Sequence, residues 1–301
     1  MSGEASQTTR LGGVGVTPVT PFNDDLGAVD TAGLRANIEF LIDSGIELVY
    51  PAGNTGESMS LSVSEWTEIV ETSVSVADGS AAVFPGIGHD YPTALELARM
   101  AGSLGADGLL LMPRSQPHAT SAGIAAYWRG IIEASGLPVV VYKRDLPDQG
   151  DLAHLVSEEV VVACKYADRD LSAFARVVAT NASSIVWTCG LAERYAPFYW
   201  QAGARGFTSG LANFAPGLAL RMHAALLAGD QTGAMTVRAE CLPFEELRAR
   251  QGDAFNVSAV KTAMDSLGLA GGKVRPPLVD LDEDASRQAR DLARSMTMLG
   301  S

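Results

Sequence analysis

The stretch PVVVYKRDLPDQGDLAHLVSEEVVVACKYA, residues 138–167, contains two short apolar runs, Val139–Tyr142 and Val160–Cys164. Neither run alternates polar and apolar residues, which is typical of parallel strands that are covered on both faces. The distance between the runs along the chain fits one βα unit. We therefore predict two neighbouring parallel strands, with polar residues at the end of each.

The same pattern recurs through the first 210 residues. Apolar runs typically lie ~25 to 35 residues apart, which is the size of a βα unit. The predicted strands are Gly13–Thr20, Leu48–Ala52, Ala82–Ile87, Gly108–Met112, Val139–Tyr142, Val160–Cys164, Ile185–Cys189 and Gly206–Ser209. Segments with helical spacing of apolar residues separate many of them, and Asp30 is a candidate cap for the first. The predicted helices are Thr31–Ser44, Ser64–Ala77, Thr93–Leu104, Ser121–Ala134, Leu171–Ala179 and Glu193–Gln201.

Eight alternating units predict an α/β fold, a (β/α)8 TIM barrel, rather than an open doubly wound sheet with a second domain. An open dinucleotide-binding sheet would carry a Gly-rich phosphate turn after its first strand, and Thr17–Pro21 has none. From Pro216 onward the pattern is purely helical. We assign residues 1–215 to the barrel core. Residues 216–301 are expected to form the last barrel helix and a C-terminal helical appendix packed on the barrel.

Composition excludes several classes of function. The net charge of −13 argues against a nucleic-acid partner, because phosphate binding needs clustered positive charge. The chain has no apolar run long enough to span a membrane, and Met1–Arg10 lacks the features of a signal peptide. Its three cysteines are far apart and odd in number. We therefore expect a cytoplasmic protein without a membrane partner.

Lys165 is the first candidate for catalysis. It is one of only four lysines and lies at the end of an apolar strand, where active sites of such barrels are found. Burial of an amine lowers its pKa, and a neutral lysine can form a Schiff base with a carbonyl substrate. The alternative is a structural lysine that extends from the strand end to water. The lysine alone does not decide between the two.

Tyr142 ends the preceding strand and is the second candidate. If Tyr142 points into the barrel, the two-residue period turns Lys143 outward and returns Arg144 to the barrel mouth. A phenol beside a buried amine can transfer protons, and the alternative is a tyrosine that packs at the end of the barrel. An outward Lys143 should tolerate replacement by alanine.

The loop after the second strand, Gly53-Asn54-Thr55-Gly56-Glu57, is the third candidate. Its backbone N–H groups and hydroxyl can hold a carboxylate, although the motif by itself is a weak signal. The four histidines have no metal-ligand spacing, so we predict neither a metal site nor a cofactor.

Together these motifs resemble the dihydrodipicolinate synthase / N-acetylneuraminate lyase family of Schiff-base aldolases and dehydratases. The shared features are Thr17–Phe22, Gly53–Glu57, Gly105–Gly108, Tyr142 and Lys165, in this order along the chain. The resemblance implies that Lys165 forms the Schiff base, that Tyr142 transfers protons and that Thr55 binds the α-keto carboxylate. It also implies a homodimer or homotetramer acting on a small 2-keto acid. The expected substrate-binding residues are Gly53, Asn54, Thr55, Arg144, Ser209 and Asn213.

Within the family, the sequence departs from dihydrodipicolinate synthase, because Asn54 replaces the first threonine of that enzyme's Gly-Thr-Thr-Gly-Glu loop. Tyr142-Lys143-Arg144-Asp145 instead resembles the 5-dehydro-4-deoxyglucarate dehydratase branch, as do Asn213–Pro216 and Val274–Leu278. One departure from that branch is Lys165-Tyr166-Ala167, where Lys-Asp-Gly is usual. The resemblance implies a dehydratase that also decarboxylates its substrate. The alternatives are condensation of pyruvate with aspartate semialdehyde and a non-catalytic barrel that binds a keto acid.

Overall fold

The computed structural model describes residues 9–113, 116–145, 149–181 and 185–300, and only the backbone of Gln149. Most of the N-terminal stretch in which we predicted no signal peptide lies outside these ranges. The last residue of the C-terminal appendix, Ser301, also lies outside them.

Within these ranges, nine short parallel strands form one continuous sheet with the order β3-β2-β1-β9-β8-β7-β6-β5-β4. The strands are β1 Val14–Val16, β2 Leu48–Val49, β3 Ala82–Val83, β4 Gly86–Ile87, β5 Leu109–Leu111, β6 Val139–Lys143, β7 Val161–Tyr166, β8 Val186–Cys189 and β9 Gly206–Ser209. Neighbours in this order are hydrogen-bonded in parallel, including the first and last strands of the chain, β1 and β9.

The barrel closes through β3 and β4, which are two halves of the single strand predicted at Ala82–Ile87. Phe84 and Pro85 separate the halves. The Phe84 N–H donates to the Val49 carbonyl at 3.0 Å, and the Leu110 N–H donates to the Pro85 carbonyl at 2.9 Å. This strand therefore joins β2 on one side to β5 on the other. The predicted (β/α)8 barrel is confirmed.

Helices surround the sheet. They are α1 Thr31–Asp43, α2 Val63–Ala77, α3 Tyr91–Ser103, α4 Ser121–Ser135, α5 Gln149–Val156, α6 Leu171–Asn181, α7 Ala192–Gln201 and α8 Pro216–Leu227. The sequence did not predict α5, because this eight-residue helix is too short to show a clear helical period. None of the described helices is long and apolar enough to cross a membrane.

Side-chain caps set where the helices begin. Asp30 caps α1 as predicted. The next helix begins at Val63 rather than at Ser64, because Ser62 and Glu65 form a capping box in which each accepts from the backbone N–H of the other.

Two apolar layers fix the direction of the side chains on β6 and β7. Val140 and Tyr142 belong to the layer inside the barrel, whereas Val141 and Tyr166 belong to the layer between strands and helices. Side chains therefore alternate along each strand, as the two-residue period requires.

The C-terminal segment contains α9 Gln231–Arg248, α10 Arg250–Asp253, α11 Asn256–Asp265 and α12 Glu283–Gly300. It contacts the barrel through polar side chains as well as apolar ones. Asn37 on α1 exchanges two hydrogen bonds with the Ala270 backbone, at 2.7 and 3.1 Å. Within α10 the helical path breaks at Gln251 and Gly252, and this kink lies near the barrel mouth.

Candidate active site

Lys165 and Tyr142 lie side by side on neighbouring strands inside the barrel. Lys165 on β7 and Tyr142 on β6 are paired in the register of the two strands. The Lys165 amine lies 4.1 Å from the centroid of the Tyr142 ring, and both side chains are buried. The amine therefore contacts the face of an aromatic ring, where an ammonium is attracted to the ring electrons.

Burial is the main influence on the Lys165 amine. Burial, with a smaller contribution from the positive charge of Arg144, lowers the pKa of Lys165 to about 7. A substantial fraction of the amine is therefore neutral near neutral pH. Only the neutral amine can attack a carbonyl, so this environment suits Schiff-base formation.

Tyr142 is held in its protonated form. Burial raises the pKa of its phenol, and the nearby Arg144 and Asn54 partly oppose that shift. The Asn54 amide donates to the Tyr142 hydroxyl at 3.4 Å. The phenol therefore keeps a proton that it can pass on and take back beside Lys165.

The loop after β2 brings Asn54 and Thr55 to the cavity wall, as the sequence predicted. Its glycines allow close packing. A Cβ on Gly53 would lie 2.8 Å from the Thr17 side chain, and one on Gly56 would lie 2.9 Å from the Pro18 carbonyl oxygen. Gly53 thus shapes the loop but does not line the cavity.

Glu57 of the same loop does not line the cavity. Its Oε1 atom lies 2.6 Å from the Lys261 amine of α11, and both side chains are almost completely buried. Its Oε2 atom accepts from the Arg275 backbone N–H at 2.9 Å. The carboxylate therefore ties the loop to the C-terminal segment.

Ser209 is the last residue of β9 and Asn213 follows the strand, but the two have different environments. Ser209 lines the cavity, and its hydroxyl accepts from the Ala212 N–H at 2.8 Å. Asn213 does not line it. The Asn213 amide accepts from the Val19 N–H at 3.0 Å and donates to the carbonyl groups of Thr17 and Gly210. Asn213 therefore joins the ends of β1 and β9, and its expected contact with substrate stays a prediction.

Arg144 lies at the barrel mouth, as strand parity predicted, and remains partly exposed. Lys143 points away from the cavity but is not free. Its amine lies 2.9 Å from an Asp168 carboxylate oxygen and is almost fully buried. The expectation that Lys143→Ala is tolerated is therefore revised, because removal of the amine leaves Asp168 without this partner.

The cavity has a volume of about 130 Å³ and a polar lining. Among the described residues, its basic side chains outnumber its carboxylates. The basic residues are Arg144, Lys165, Arg169, Arg194 and Arg248, and the acidic ones are Glu245 and Asp253. A basic cavity in a chain with a net charge of −13 favours an anionic ligand.

The remaining candidates for chemistry lie elsewhere. All three cysteines are buried and free. Within the described ranges, no group of three or more His, Cys, Asp or Glu side chains is arranged to hold a metal ion.

Comparison with known sequences assigns the family. The model of the dihydrodipicolinate synthetase family matches residues 10–296. The chain belongs to the dihydrodipicolinate synthetase family. It is 32% identical over 285 residues to a probable 5-dehydro-4-deoxyglucarate dehydratase of Bacillus licheniformis, covering 92% of each chain. It is also 30% identical over 294 residues to a 4-hydroxy-tetrahydrodipicolinate synthase of Methanopyrus kandleri, covering 95% of this chain and 97% of the relative.

Solved structures of the family have the same fold. The dihydrodipicolinate synthase of Bacillus clausii aligns with a TM-score of 0.92 and 36% identity, over 96% of this chain and 99% of that one. The enzyme of Oceanobacillus iheyensis aligns with a TM-score of 0.92 and 34% identity, over 97% and 99%. Because family members are lyases that act on small molecules, the chain is an enzyme of this kind.

Several charged residues in or beside the cavity of this family member were not predicted, among them Glu193, Glu245 and Arg248. Glu193 is fully buried, and burial together with the negative charge of Glu245 raises the pKa of its carboxyl. Glu245 also lies 2.6 Å from Arg248. A signal for the last two was present, because they lie three residues apart on a helix face otherwise occupied by Cys241 and Phe244, which are buried.

Proposed function

We propose that this enzyme is a Schiff-base lyase that dehydrates and decarboxylates 5-dehydro-4-deoxyglucarate. The observation that carries the proposal is the buried Lys165 amine, with its lowered pKa, against the Tyr142 ring. An amine with this environment is suited to nucleophilic attack on a ketone. Membership of a family of lyases supports the same type of reaction for this chain.

Lys165 attacks the keto carbon, and loss of water from the carbinolamine gives a protonated imine. Tyr142 carries protons between the amine and the departing hydroxyl. Thr55 and the loop amides hold the adjacent carboxylate. The iminium then accepts electrons as the neighbouring carbon loses a proton, and the next hydroxyl takes up a proton and leaves as water, which gives an iminium conjugated to the new double bond. The bond to the distal carboxylate then breaks, its electron pair passes into this conjugated iminium as carbon dioxide leaves, and a proton is added back to carbon. Lys165 is regenerated by hydrolysis of the imine.

The charge of the cavity supports a substrate with two carboxylates. Arg144 and Arg169 line the cavity from the segments after β6 and β7, whereas the first carboxylate is assigned to the loop after β2. Arginine binds a carboxylate through paired hydrogen bonds, and Arg144 is the residue that we assign to the distal one. The name of the Bacillus licheniformis relative, a probable 5-dehydro-4-deoxyglucarate dehydratase, agrees with such a substrate.

The nearest alternative is condensation of pyruvate with aspartate semialdehyde. The Methanopyrus kandleri relative carries the name of a synthase at a similar identity. Asn54 is an argument against this reaction, because it replaces the first threonine of the synthase loop and its amide contacts Tyr142. A second alternative is a barrel that binds a keto acid without turnover, for which a neutral buried amine has no evident use.

Borohydride trapping tests the Schiff base. Reduction in the presence of pyruvate should add one covalent adduct to the wild-type chain and none to Lys165→Ala. Lys273→Ala is the matched control, because Lys273 is exposed. The mechanism is excluded if Lys165→Ala forms as much adduct as the wild type.

Turnover identifies the substrate. Assays on 5-dehydro-4-deoxyglucarate and on pyruvate with aspartate semialdehyde, run side by side, distinguish dehydratase from synthase. Activity on the first substrate alone supports the proposal, and activity on the second alone replaces it. An adduct without turnover of either substrate supports the non-catalytic alternative.

We also propose that the enzyme is a homodimer or homotetramer, as the resemblance to its family implies. Equilibrium sedimentation at micromolar concentration checks this. A mass near that of one chain would refute it.

A further inference from the structure

A kink between α9 and α11 places a carboxylate at the mouth of the cavity. Gln251, Gly252 and Asp253 have positive φ values of 52°, 69° and 69°. Two of these residues have side chains, for which the left-handed region is unfavourable. Such local strain persists only where the surrounding structure holds it, and it is concentrated at functional sites.

The kink directs Asp253 toward the basic side of the cavity. Its Oδ2 atom lies 3.4 Å from an Arg144 nitrogen and 4.0 Å from an Arg169 nitrogen. All three side chains line the cavity. One carboxylate thus faces two guanidinium groups from the ends of β6 and β7.

This contact has the features of an exchangeable ion pair. Arg144 and Asp253 each keep about a third or more of their side-chain surface exposed, at 44% and 32%. Their contact is single and long, whereas a bound carboxylate forms two parallel hydrogen bonds with arginine at shorter distances. A ligand carboxylate with better geometry can therefore replace Asp253.

We infer that Asp253 is a specificity-determining residue, whose carboxylate occupies the arginines until the distal carboxylate of the substrate displaces it. The inference rests on the proposed function, in which Arg144 binds that carboxylate. A keto acid without a distal carboxylate leaves the Asp253–Arg144 pair intact, and the arginines do not contribute to its affinity. A dicarboxylate gains the arginine contacts but must first displace Asp253.

The test uses two stable keto acids, pyruvate with one carboxylate and 2-oxoglutarate with two. The concentration that gives half-maximal borohydride adduct is measured for each. Asp253→Asn should lower this concentration about two- to fivefold for 2-oxoglutarate, in line with removal of a partly exposed competing ion pair. It should leave the value for pyruvate unchanged. Glu246→Gln is the charge control, because Glu246 is exposed on α9 and does not line the cavity.

A double mutant separates this effect from a general change of charge. In an Arg144→Gln background, Asp253→Asn should lose most of its effect on 2-oxoglutarate, since the competing contact is already absent. An equal shift for both keto acids, or a weaker binding of 2-oxoglutarate, overturns the inference alone. Absence of any adduct in the wild type overturns the proposed function and this inference with it.

Discussion

Tyr142 and Lys165 are register partners on adjacent strands, and this pairing places the Lys165 amine 4.1 Å from the Tyr142 ring centroid. Parallel strands hold such partners at a fixed level of the barrel, so neither side chain depends on a loop for its position. The ring also helps to exclude water from the amine. The phenol and the amine therefore act as one unit whose two parts can be tested separately.

Replacement of Tyr142 by phenylalanine should affect the chemical step more than binding. Tyr142→Phe keeps the ring against Lys165 and removes only the proton-transferring hydroxyl. We expect kcat to fall roughly 10²–10⁴-fold with little change in KM, as for loss of a general acid–base group. Steady-state kinetics on the dehydratase substrate measure this. Tyr195→Phe, which removes a hydroxyl from the same cavity lining, should change kcat far less. A rise in KM at unchanged kcat would contradict the role assigned to Tyr142.

The pH dependence of adduct formation should follow Lys165. The folded-state pKa is about 7, so the amine is protonated and unreactive below that pH and becomes nucleophilic as the pH rises through it. The initial rate of pyruvate trapping with cyanoborohydride should therefore rise with pH and level off above about 7. A rate independent of pH between 5 and 9 would contradict the assignment.

Arg144 should shift that profile. Its positive charge lowers the pKa of Lys165, so Arg144→Gln should move the midpoint to higher pH. The same change should weaken capture of 2-oxoglutarate, because Arg144 is assigned to the distal carboxylate. Arg287→Gln on α12 serves as the control, since Arg287 is exposed and pairs with acids of its own helix. An unchanged midpoint in Arg144→Gln would show that burial alone sets the reactivity of Lys165.

The sequence was sufficient to predict the barrel and the direction of the side chains at the end of β6. Apolar runs without alternation indicate strands covered on both faces, and the period of two then separates Tyr142 and Arg144 from Lys143. What it could not supply was the partner of each side chain. Lys143 is buried because Asp168, which follows the next strand, lies beside it. That contact depends on strand register, which the local pattern does not specify.

Local sequence patterns also did not predict which residues of the C-terminal segment line the cavity. Glu245, Arg248 and Asp253 reach the cavity only because α9 and the kink after it pack over the barrel mouth. Motif similarity likewise placed Asn213 near the substrate, whereas its amide bonds only to backbone groups in the described structure. A shared motif indicates that a residue type matters at a position, but it does not show whether that side chain contacts the substrate or the surrounding backbone.

Asn213→Ala should therefore reduce stability more than substrate affinity. It leaves the buried Val19 N–H and the Thr17 carbonyl without their partners. Each unsatisfied buried group costs about 1–3 kcal/mol, so the urea midpoint should fall clearly. Asn23→Ala is the control, because Asn23 is exposed. If Asn213→Ala unfolds at the wild-type midpoint but has a strongly raised KM, Asn213 contacts substrate after all.

The Glu57–Lys261 pair should be the strongest single tie between the carboxylate-binding loop and the C-terminal segment. The two charged atoms lie 2.6 Å apart with side-chain exposures of 0% and 1%. Removal of one partner of a buried pair leaves the other charge uncompensated and costs about 3–5 kcal/mol. Lys261→Met should thus lower the urea midpoint markedly, and it should raise the pyruvate concentration needed for half-maximal adduct because the Thr55 loop loses its support.

The double mutant distinguishes pairing from simple packing. Glu57→Gln in the Lys261→Met background removes the stranded charge and should recover part of the lost stability. Glu283→Gln is the control, because Glu283 pairs with Arg287 at the surface and exposed ion pairs contribute little. Additive losses in the double mutant would mean that Glu57 and Lys261 stabilise the protein independently, and that the loop is held by the Arg275 backbone contact instead.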